Sequence, residues 1–92
     1  MEMAFKYGVS FNEMRVTIRG ESGYKNIPSG IIKNGVREDS HGVVQIHAPS
    51  HPEITKEQMY NPLWSIKWMA KEFSEGRASQ WTEWRKNFAQ KR

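Results

Sequence analysis

The chain has 92 residues, which suits one domain with a limited core. It has no cysteine, which excludes disulfide staples, a thiolate nucleophile and cysteine-based zinc sites, and leaves the redox compartment open. A formal charge of +4 favours an anionic partner: nucleic acid, a membrane surface, or a wall polymer bearing carboxylates.

No apolar run approaches the ~20 residues of a membrane span. Residues 1–7 lack the apolar stretch of a secretory signal. As written, the chain is therefore cytoplasmic, exported by another route, or a piece of a longer protein. Ser10 and Glu13 have capping-box spacing, with Val9 and Met14 placed as a staple, so a first helix is predicted to start at Ser10. Phe11, Met14 and Ile18 form its apolar stripe, and Gly20 and Gly23 mark its end.

Residues 22–42 are rich in Gly, Ser, Asn and Pro and read as loops. Ile31-Ile32 and Val43-Val44-Gln45-Ile46 are β-prone; they are expected to pair around Asn34-Gly35 or to form buried loop. Thr55 and Gln58 have the spacing of a capped single turn. Asn61-Pro62 opens the clearest helix, with Leu63, Ile66, Met69, Ala70 and Phe73 at helical spacing and Gly76 at its end. A last helix is predicted from Ser79, carrying Trp81, Trp84, Arg85 and Phe88. The tail, Arg85 to Arg92, holds four basic and no acidic residues, and reads as a solvated helix end. The expected fold class is α+β, mainly α, in a single domain spanning 1–92.

Glu21 falls on the stripe of Met14 and Ile18, at the end of the first helix. Desolvation and the negative helix end both raise a carboxyl pKa there. A carboxylic acid kept protonated near neutrality is what glycosidic cleavage requires of its acid catalyst. The bland alternative is a surface glutamate at a frayed helix end. His47 and His51 are four apart, but Pro49 and Pro52 argue against a helix that would make them a metal pair. They read as solvated or cleft-lining imidazoles, and no metal or cofactor is expected. Trp64 and Trp68 read as core before ligand platform. No helix-turn-helix or RNA-binding signature supports nucleic-acid binding.

Three segments in order carry a family likeness: Ile18-Arg19-Gly20-Glu21-Ser22-Gly23-Tyr24, then Asp39-Ser40-His41-Gly42-Val43-Val44-Gln45-Ile46, then Asn61-Pro62 with Ser65-Ile66. Together they resemble the lysozyme-like lytic transglycosylases over about residues 10–84. The resemblance implies a lysozyme-like fold with a small irregular or hairpin lobe. It implies cleavage of the MurNAc-GlcNAc β-1,4 bond of peptidoglycan, at the bacterial wall or in the periplasm, by a monomer. Glu21 matches the catalytic acid/base, and Ser22, Tyr24, Ser40, Gly42 and Gln45 fall at substrate-cleft positions. Ser22 has the alternative of a C-capping turn residue, Gln45 that of a buried amide, and Tyr24 that of a core cover. Departures are Val43-Val44 after the motif glycine, and Met69 and Glu72 where the family carries a glycine and a site-facing tyrosine.

A transglycosylase manages with one carboxylate, because the muramic acid 6-hydroxyl attacks. Hydrolysis usually needs a second. Asp39, with Glu38 next, is the candidate for it. A module that holds peptidoglycan without cutting it is the alternative from outside enzymology.

Overall fold

A computed structural model describes residues 10–89. The first helix, α1, spans Phe11–Ser22. Ser10 is extended, and its hydroxyl accepts the N–H of Glu13 at 3.1 Å. The reciprocal half of a capping box is not made. The Glu13 carboxylate instead accepts the indole N–H of Trp84 at 2.8 Å, so a local cap becomes a long-range tie. The staple partner Val9 lies outside the described residues. The helix runs through Gly20 and stops at Gly23, whose φ of 64° lets its N–H reach the Arg19 carbonyl. Met14, Thr17 and Ile18 are buried. Phe11 is exposed, against expectation: the buried seam begins one turn later, at Met14.

Two antiparallel hairpins follow. Strand β1 (Ile32–Lys33) pairs with β2 (Val36–Arg37) in the register Ile32↔Arg37. Asn34 and Gly35, at φ 53° and 77°, supply the two left-handed residues that a tight hairpin turn requires. Strand β3 (Ser40–His41) pairs with β4 (Ile46–His47) in the register Ser40↔His47. The two β-prone runs therefore belong to different hairpins and do not pair with each other. A short ribbon that no other element among the described residues covers leaves Ile31, Ile32 and Val36 exposed, whereas Val43, Val44 and Ile46 enter the core.

A short 3₁₀ turn, Ala48–Ser50, leads to helix α2 (Lys56–Met59). Both bonds of its capping box form: Gln58 N–H to the Thr55 hydroxyl at 3.1 Å, and Thr55 N–H to the Gln58 side chain at 2.9 Å. Helix α3 spans Pro62–Ser74, with the Asn61 side chain accepting the Trp64 N–H at 3.1 Å. Its innermost positions are Ser65, Met69, Ala70 and Glu72. Leu63 is 75 % exposed, contrary to its assignment to the apolar stripe. It lies two residues before Ser65, about 200° around the helix. Ile66 and Phe73 pack against the core from its edge.

The last helix, α4 (Thr82–Asn87), starts later than predicted, after a separate 3₁₀ turn at Ala78–Gln80. Between them Trp81 is extended and buried, and its indole N–H donates to the Val44 carbonyl at 2.7 Å. That anchor holds the backbone out of helix at the point where the sequence pattern would continue it. The core gathers Met14 and Ile18 from α1, Val44 and Ile46 from the second hairpin, Met59, Met69 and Trp81. The result is a mixed α and β fold, about half helical, with two small hairpins. No helix among the described residues is long and apolar enough to cross a membrane.

Candidate active site

The end of α1, the second hairpin and the 78–82 segment enclose a cleft of about 230 Å³. Glu21, Glu38, Ser40, Gln45, His47, His51, Gln80 and Trp81 are among the residues lining it.

Glu21 sits in the last turn of α1 and is partly buried. One carboxyl oxygen accepts the backbone N–H of Glu83 at 3.0 Å. Trp81, which precedes α4, has no side chain able to cap it, so Glu21 caps that helix from across the fold. Burial raises the Glu21 pKa above its ordinary 4.5; the Glu83 N–H opposes this, and the charges of Glu83 and Glu38 add to it. Gly20 permits the close approach: a Cβ there would run into the Glu83 side chain.

Glu38 is the second carboxylate of the cleft, and it accepts the hydroxyl of buried Ser40 at 2.8 Å. Asp39, the first choice on sequence, does not line the cleft. It is 51 % exposed and bound to His41 Nε2 at 2.5 Å, with Lys56 4.0 Å away. The bond to His41 holds its carboxyl below the usual range. Strand alternation explains the exchange: Glu38 and Ser40 point one way, Asp39 and His41 the other. That period-2 signal was present in the sequence, but only the observed pairing shows which face meets the cleft.

Gln45 lines the cleft at φ 55°, with its amide donating to the carbonyls of Ile27 and Gly42, both at 2.8 Å. It is thus a buried, loop-holding amide and a cleft residue at once. Three other predicted contacts lie outside the cleft lining. The Ser22 hydroxyl donates to the Val43 carbonyl at 2.6 Å and fastens α1 to the hairpin loop. Tyr24 is exposed and folds back on α1, its hydroxyl donating to the Arg15 carbonyl at 3.0 Å. Gly42, at φ 86°, packs against the Met59 backbone.

The two histidines enter as cleft walls. His47 Nδ1 hydrogen bonds with the Ser50 hydroxyl at 2.7 Å, and His51 Nε2 donates to Gln80 at 3.0 Å. Gln80 is oriented by Glu72, which accepts its amide N–H at 3.0 Å. No group of three or more His, Asp or Glu side chains among the described residues is arranged to hold a metal ion. Sequence reasoning gave Gln80 and Trp81 no place in the site, because nothing local shows that the 78–82 segment closes the cleft opposite α1. No protein-family model, curated protein or solved structure matches the chain.

Proposed function

We propose that this chain is a peptidoglycan-cleaving glycosidase of lysozyme-like fold, with Glu21 as its general acid/base. The reading is carried by one observation: a partly buried carboxyl group, raised above its ordinary pKa, lines the same cleft as a second carboxylate. Protonated Glu21 gives its proton to the glycosidic oxygen between MurNAc and GlcNAc as the C–O bond breaks. In the transglycosylase course, the muramoyl 6-hydroxyl then attacks the anomeric carbon. Its proton returns to Glu21, and the product carries a 1,6-anhydro end.

The second course is hydrolysis, favoured by Glu38 in the cleft. There Glu38, in place of Asp39, activates water or steadies the sugar cation. The test is to incubate wild type, Glu21→Gln and Glu38→Gln with purified peptidoglycan and weigh the products. Anhydromuramic ends lost only in Glu21→Gln indicate transglycosylation. Reducing ends lost in both variants indicate hydrolysis. Binding with no product from wild type sinks the enzyme reading in favour of a glycan-holding module.

A further inference from the structure

Trp64, Lys67, Trp68 and Lys71 recur at i, i+3, i+4 and i+7 of α3 and line a groove of about 380 Å³ on its outer face. Neither lysine has an ion-pair partner among the described residues, although Lys56 and Lys86 lie beside carboxylates. The hydrogen bonds of the described residues include none from the indole N–H of Trp64 or Trp68. Both tryptophans are only partly buried. The groove therefore offers two aromatic faces, two indole donors and two ammonium groups, with no acidic residue in its lining. It also adjoins the cleft. The Trp68 ring stands edge-on to His51 at 4.8 Å and to Trp81 at 5.6 Å, and both of those side chains line the cleft.

We infer that this groove is a second binding site for a carboxylate-bearing glycan strand, continuing the path of the strand held in the cleft. The inference rests on the glycosidase reading for the identity of the strand. The C–H faces of sugar rings stack on indole, and the lysines meet the carboxylates. A single-stranded nucleic acid would also use stacking and cations. The groove adjoins the cleft proposed to cleave glycan, and this favours the glycan over a strand bearing a phosphate at every residue.

The test uses the full chain carrying Glu21→Gln, so that glycan is held and not cut. Binding is measured to purified peptidoglycan strands, to uncharged N-acetylglucosamine oligomers of similar length, and to oligo-dT. Further substitutions are Trp64→Ala and the pair Lys67→Ala/Lys71→Ala, with thermal melting to check folding. The lysine pair should weaken strand binding about tenfold at low salt and remove the preference over the uncharged oligomer. Trp64→Ala should weaken both about fivefold. Undiminished strand binding in folded variants overturns the inference, as does tight oligo-dT binding without glycan binding. Product release by wild type is scored separately. Release with groove-independent binding removes the groove and leaves the enzyme; groove-dependent binding without release does the reverse.

Discussion

The Glu21 carboxyl group accepts the backbone N–H of Glu83 at 3.0 Å, so the last turn of α1 caps the first turn of α4. One side chain thus holds two helices together and faces the cleft. Substitutions can separate the two roles. Glu21→Gln keeps an acceptor for the Glu83 N–H but has no proton to give. It should fold with near wild-type stability and lose about 10²–10⁴-fold in glycan cleavage. Glu21→Ala should lose the same activity and also about 1 kcal/mol of stability, the usual worth of a helix cap. Urea unfolding and product release from peptidoglycan read the two effects independently.

The raised pKa of Glu21 has a definite sign in stability. The folded state holds the proton more tightly than the unfolded state. The associated stability is therefore complete below the ordinary value of 4.5 and is lost as pH rises through the higher folded value. Measured by urea unfolding across that range, Glu21→Gln should gain on wild type as pH rises. A gap that is constant or closes with pH would contradict the burial of this carboxyl. Activity should fall over the same interval, as the acid loses its proton.

Glu72 has the opposite sign. Its burial alone would raise the pKa, but hydrogen bonds from Arg77 and Gln80 and the Arg77 charge more than offset this and hold it low. Its stabilising contribution is present above the ordinary 4.5 and is lost as pH falls through the folded value. Arg77→Met removes the compensating charge. Its acid-unfolding midpoint should move to higher pH, followed by circular dichroism.

Gly42 and Gly35 both have positive φ, at 86° and 77°, but differ in their surroundings. A Cβ at Gly35 meets open space, whereas one at Gly42 runs into the Met59 carbonyl. Gly35→Ala should cost about 1 kcal/mol of backbone strain. Gly42→Ala should cost about 3 kcal/mol or more, since strain and overpacking combine. Equal losses on thermal unfolding would contradict the close packing of the second hairpin on α2.

Thr17 is fully buried in α1, and its hydroxyl has no hydrogen-bond partner among the described residues. Thr17→Val keeps the shape and removes the unsatisfied group. It should raise stability by about 1 kcal/mol, visible as a higher urea midpoint with unchanged slope.

What the sequence determined by itself was local. Ser10, Thr55 and Asn61 place three helix starts, Gly23 and Gly76 stand just past two ends, and Asn34-Gly35 marks one turn. Each of these depends on residues within a few positions, because a cap or a two-residue turn is closed by its own neighbours. The placement of Glu21 on the Met14–Ile18 face followed from the helical period alone. The tertiary structure decided the rest. It paired Ile46–His47 with Ser40–His41, left Leu63 and Phe11 outside, and held the start of the last helix back to Thr82 by anchoring the Trp81 indole to the Val44 carbonyl. It brought Glu38, and not Asp39, into the cleft, because alternation along a strand fixes which residues share a face but not which face is covered. It also gave Glu21 the Glu83 N–H as a partner, 62 residues along the chain. The burial that raises the Glu21 pKa depends on that packing, and no window of sequence contains it.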